Sequence, residues 1–121
     1  MLLLIAACIV LLLTGGGGLA ILLIRLRGVE PPAWFLAAHG LGALTGITLV
    51  TIVTAMAEFR MMLVIVLGTL VTAASMGAYM GIRRARGRMA PLGLALGHAT
   101  IAVFGIVMLL IATMVRETVV G

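Results

Sequence analysis

Four long apolar runs govern what this chain can fold into. They cover roughly residues 2–24, 32–57, 61–82 and 91–115, with short polar connections between them. A helix needs about 20 apolar residues to cross the hydrocarbon core of a bilayer, and each run is long enough. A spanning β-barrel would need alternating apolar and polar residues, whereas these runs are continuous. Backbone groups in lipid must be satisfied internally, so continuous runs predict helices. The expected fold is all-α: a bundle of four transmembrane helices forming a single integral membrane domain over residues 1–121, with nothing left over for a soluble domain.

Charge sets the expected orientation. All eight basic residues are arginine, and the net charge is +5. Arg25, Arg27, Arg83, Arg84, Arg86 and Arg88 fall in the first and third connections, with Arg60 and Arg116 on the other side. The positive-inside rule puts both arginine-rich loops in the cytoplasm and both termini outside, with a bacterial inner membrane as the expected location. No basic stripe with interleaved aromatics lies outside the runs, so nucleic acid is not an expected partner. Cys8 reads as a small packing residue. Ile5-Ala6-Ala7-Cys8 faintly resembles a lipoprotein cleavage box, but no basic segment precedes it, so the first run reads as a retained helix. Without a Cys-x-x-Cys-His motif, covalent haem attachment is excluded.

Local punctuation places the helix ends. Helix 1 should run from Leu2 to about Ile24 and end at Arg25-Leu26-Arg27-Gly28. Val29-Glu30-Pro31-Pro32 is a stiff connection, and proline suits the first turn of helix 2, which should reach about Ala57. Trp34 at its start favours the headgroup level. Glu58-Phe59-Arg60 reads as a tight turn to helix 3, Met61 to Ile82. Pro91 opens helix 4, which should continue to about Val115 and end at Arg116 and Glu117. Gly15 to Gly18 stand inside helix 1. In a membrane bundle, small residues let neighbours approach closely. Four in a row predict a bend or room for something wide and flat.

Shifting the chain by 59 residues superposes its halves without a gap. Arg25, Arg27 and Gly28 fall on Arg84, Arg86 and Gly87; Pro32, His39 and Gly46 fall on Pro91, His98 and Gly105. Gly18 matches Gly77, and Glu58 matches Glu117. The expectation is two helix-hairpin repeats, 1–59 and 60–118, inserted in the same direction about an axis along the membrane normal. Helices 2 and 4 then run parallel with their histidines at equal depth. Seven residues beyond each proline is about 10 Å along a helix.

His39 and His98 are the only histidines, and an ionisable residue at membrane depth is a candidate for function. At their level the other two helices carry Gly15 to Gly18, and Ala73 to Ser75 with Gly77. Small residues on the histidine faces include Gly42, Ala43, Gly46, Ala102 and Gly105. The sequence looks hollowed around a flat apolar object with an axial ligand on each side. Haem b between two imidazoles suits that pattern and is the cofactor expected, one per chain. Gly16, Gly17, Gly42, Gly46, Ala74 and Gly105 are then its expected walls. Arg25 and Arg84 are expected to face the propionates, with Arg27, Arg86 and Tyr79 as further donors.

Other readings use the same residues. The histidines serve a structural role if they bond Thr45, Thr100 or backbone carbonyls. A proton path lacks any membrane-embedded Asp or Glu, and a zinc site lacks its third and fourth ligands. A bacteriochlorophyll-binding helix would want Ala four residues before each histidine, where Phe35 and Leu94 stand. A small multidrug-type transporter would want a glutamate in helix 1.

The twice-occurring Pro-x6-His-x6-Gly element, on four helices, resembles the small membrane-bound cytochromes b, broadly cytochrome b561-like. The resemblance implies that His39 and His98 are axial ligands of haem iron. Relatives with two haems use four histidines, and this chain holds ligands for one. It therefore implies an electron-transfer protein rather than a substrate-transforming enzyme, exchanging electrons with a quinol or a redox protein. The alternative is a non-redox scaffold or accessory subunit. The sequence leaves open whether the bundle stands alone, forms a homo-oligomer or joins a larger complex.

Overall fold

The computed structural model describes residues 2–57 and 60–120, and the side chains of 2–57 and 61–115. The described residues form four helices: α1 (Leu2–Leu26), α2 (Ala33–Met56), α3 (Arg60–Ala85) and α4 (Leu92–Val120). Each contains 24 or 25 residues long and apolar enough to cross a membrane. At 1.5 Å per residue that is about 36 Å, against a hydrocarbon core of about 30 Å. This is the architecture of an integral membrane protein. Consecutive helices are neighbours, and α4 closes the ring against α1. Two diagonals result, α1 across from α3 and α2 across from α4.

At the arginine loops α1 and α3 outlast the apolar runs that predict them, because different forces set the two ends. An apolar run stops where the membrane stops; the backbone stops where a residue turns left-handed. Gly28 and Gly87 are those residues, with φ of 74° and 69°. The Gly28 N–H donates to Arg25 O at 3.0 Å, and the Val29 N–H donates to Ile24 O at 3.3 Å. The Gly87 and Arg88 N–H groups donate likewise to Arg84 O and Arg83 O, both at 2.9 Å. These are paired Schellman closures. The expected start of helix 2 moves by one residue: Pro32 precedes the helix with φ −58° and ψ 142°, and its carbonyl accepts from Phe35 and Leu36. Helix 4 does not end at Arg116 and Glu117. It continues to Val120, since neither residue is a helix breaker. Of the expected second turn, Glu58 and Phe59 lie outside the described residues, and Arg60 begins α3.

Burial concentrates in the half of the bundle away from the arginine loops. Leu4, Ala7, Cys8 and Leu11 of α1 meet Val50 and Val53 of α2, Leu63, Val66 and Leu70 of α3, and Ile106 and Leu109 of α4. These positions recur every three or four residues, the stripe that faces a helical core. Cys8 belongs here, its Sγ 3.3 Å from Thr113 Oγ1, as its reading as a packing residue requires. In the other half the described buried residues are small, Ala73, Ala90 and Ala95, with Pro31. That half holds the two histidines.

Candidate functional site

His39 on α2 and His98 on α4 come together across a diagonal. Their ring centroids are 6.1 Å apart and their planes lie at 81°. Both are half-buried. Each is tethered to the other helix of its own hairpin. Nδ1–H of His39 donates to the carbonyl of Thr14 on α1 at 3.0 Å. Nδ1–H of His98 donates to the carbonyl of Ala73 on α3 at 2.7 Å. A carbonyl oxygen only accepts, so Nδ1 carries the proton in both rings and Nε2 keeps its lone pair in the neutral form. Among the described residues, neither Nε2 has a hydrogen-bond partner.

Two glycines make these ring positions attainable. A Cβ placed on Gly18 would stand 2.7 Å from His39 Cε1, and one on Gly77 would stand 3.3 Å from His98 Cε1. Gly18 and Gly77 are thus the residues against which the imidazoles lie, and Thr14 and Ala73 supply the carbonyls that orient them. Gly18, Ala73 and Gly77 stand at the depth that the sequence assigns to the histidines, though not among the expected cofactor contacts; Thr14 is the addition, and its 59-residue spacing from Ala73 is the signal for it.

The expected walls separate into different roles. Phe35, His39, Gly42 and Gly46 do share one face of α2, and that face meets α1. A Cβ on Gly17 would meet the Phe35 ring at 3.6 Å. Gly42 accommodates the Thr14 side chain, and Gly46 accommodates Leu11. Gly105 accommodates Leu70, whose Cδ2 would be 3.0 Å from an added Cβ. Gly42, Gly46 and Gly105 therefore bring the two helices of a hairpin together rather than border the imidazole pair. Two turns beyond each histidine, Gly46 and Gly105 have already reached the buried core. Gly16 is exposed and a Cβ there meets nothing within 4 Å, so it does not join the histidines. Ala74 is half-buried beside Ala73. The helix is continuous through Gly15–Gly18.

The arginines expected near propionates reach across between hairpins. Arg25 Nη2 donates to the carbonyl of Ala90. Arg84 Nη2 donates to the carbonyl of Pro31 at 2.9 Å and lies 3.8 Å from Glu30. Each guanidinium has five N–H donors, so these bonds leave others free for an anion.

Thr45 and Thr100 donate to the carbonyls of Leu41 and Leu96 within their own helices, not to the histidines; the backbone-carbonyl bonds expected of structural histidines are the ones that both rings make. Among the described residues no three His, Cys, Asp or Glu side chains gather.

The two imidazoles would be the ligands of any metal held here; their 6.1 Å centroid separation is compatible with metal–nitrogen bonds of about 2 Å. A ligating histidine commonly donates its second ring N–H to a backbone carbonyl, which sets tautomer and orientation, and both histidines do so. No protein family, no curated protein and no solved structure matches this chain.

Proposed function

We propose that this protein is a membrane-embedded haem b-binding electron-transfer protein, with His39 and His98 as axial ligands of one iron between α2 and α4. The observation that carries the reading is the paired geometry: two imidazoles 6.1 Å apart, each held through Nδ1 by a carbonyl of its hairpin partner. A bis-imidazole haem has no open coordination position and supplies one-electron transfer rather than oxygen chemistry. The chain's own residues do the remaining work. Thr14 and Ala73 carbonyls fix which nitrogen is available, Gly18 and Gly77 admit the rings, and the apolar helices exclude water. Arg25 and Arg84, at the loop end, have donors to spare for carboxylates. We read the chain as two parallel hairpin repeats; histidine tethers, glycine contacts and arginine bonds occurring in pairs 59 residues apart support this. Its proposed electron partner is a quinol or a redox protein, and a cytochrome b561-like relationship remains part of the proposal.

The test is an absorption spectrum of purified protein, oxidised and then reduced with dithionite, for the parent, His39→Ala and His98→Ala. The parent should show split low-spin bands after haem is supplied. Each variant should become high-spin or lose haem, and the two should look alike. An unaltered low-spin spectrum in either variant overturns the axial pair. A parent that stays colourless with added haem leaves the histidines as staples between helices.

A further inference from the structure

The two hairpins close their arginine-side loops with the same backbone and different side chains. In both, the residue after the glycine donates its N–H back to the third helical residue before it: Val29 to Ile24 O, and Arg88 to Arg83 O. In the first hairpin this closure joins an isoleucine to a valine. In the second it joins two arginines. One turn earlier the first hairpin has Ala20, and the equivalent position of the second has Tyr79. The exchange Ala20, Ile24, Val29 for Tyr79, Arg83, Arg88 is therefore not needed to make the turn. Nor do these arginines make the bonds between hairpins, which belong to Arg25 and Arg84.

Tyr79 and Arg83 touch through their side chains, and Arg88 joins them through its backbone bond to the Arg83 carbonyl. Arg83 Nη1 donates to Tyr79 Oη at 3.4 Å, and its guanidinium carbon lies 5.9 Å from the tyrosine ring centroid. Arg83 Nε is buried with no hydrogen-bond partner among the described residues. Tyr79 is 51% exposed and its neighbour Ile82 is 52% exposed, while Arg86 and Arg88 are exposed. The chain has three acidic residues. Among the described side chains the one carboxylate is Glu30, which pairs with Arg84, so none of them balances this cluster.

We propose that Tyr79, Arg83 and Arg88 form a binding site for the phosphate headgroup of an anionic phospholipid, present on the second hairpin alone. Arginine forks match phosphate oxygens, and tyrosine suits the boundary between acyl chains and headgroups. Basic residues next to a membrane span attract anionic lipid. The site lies where α3 leaves the apolar zone, and an exposed isoleucine and the tyrosine ring flank it, which favours a lipid over soluble phosphate.

The test uses full-length protein in neutral detergent, with native mass spectrometry counting retained lipid and circular dichroism following thermal unfolding. Phosphatidylglycerol, phosphatidylcholine and inorganic phosphate are added separately. Phosphatidylglycerol should be retained and raise the melting temperature, and the other two should not. Arg83→Ile with Arg88→Val installs the first hairpin's own residues, so the turn should persist while phosphatidylglycerol retention falls by about thirtyfold, as loss of two interfacial arginines implies. Should that double variant lose its helical spectrum, Tyr79→Ala gives the same reading, with a smaller expected loss. Equal retention of phosphatidylcholine, an equal effect of inorganic phosphate, or undiminished retention in the folded variants overturns the proposal.

Discussion

At the scale of single residues, the imidazoles depend on what is missing beside them. A Cβ at position 18 would come within 2.7 Å of His39, closer than unstrained side chains allow, whereas position 77 leaves 3.3 Å to His98. Gly18→Ala should therefore displace the His39 ring and cost about 1–3 kcal/mol, as overpacking generally does. Gly77→Ala should cost less. Unfolding of the two variants in detergent, alongside haem spectra, checks this; equal effects would contradict the unequal clearance. Gly16→Leu serves as the contrast. Its side chain would point into open space, so stability and haem occupancy should match the parent. A strong loss there would restore the expectation that this glycine clears the cofactor.

Among the structural elements, the left-handed glycines after α1 and α3 carry the sharpest requirement. A residue with a Cβ disfavours the positive φ that Gly28 and Gly87 adopt. Gly28→Ala and Gly87→Ala should each destabilise by about 1 kcal/mol, visible as a lowered unfolding midpoint with unchanged helix content. A rise in midpoint at either site would mean that the closure is dispensable. The helix faces follow a different logic. Gly46 and Gly105 let Leu11 and Leu70 approach, joining α1 to α2 and α3 to α4. The Pro-x6-His-x6-Gly element is thus two devices in series, a ring position and a close helix crossing.

For the whole molecule, the arginine loops lie at one end and the buried core at the other. Arg25 reaches Ala90 and Arg84 reaches Pro31, so each hairpin holds the loop of the other. The six loop arginines predict that this end faces the cytoplasm. In a Cys8→Ser background, Gly28→Cys and Gly87→Cys should resist an impermeant thiol reagent applied to intact cells and react after lysis. Labelling from outside would reverse the orientation.

The sequence by itself determined the number of helices, their approximate ends and the common depth of the two histidines. Run length, proline, glycine and arginine placement are local signals, and a bilayer turns them into limits along one axis. Rotation about that axis was not legible. Lipid is as apolar as a helix interface, so hydrophobic pattern does not separate the face that meets a neighbour from the face that meets lipid. Gly16 and Gly18 look alike in the sequence, yet at about 100° per residue they point to nearly opposite sides. Only the tertiary structure decided that Gly18 lies against His39, that Gly46 lies under Leu11, and that Arg25 and Arg84 cross between hairpins. Those contacts depend on which helices become neighbours and in which register, and small residues permit many registers until side chains such as Leu11, Leu70 and the histidines select one.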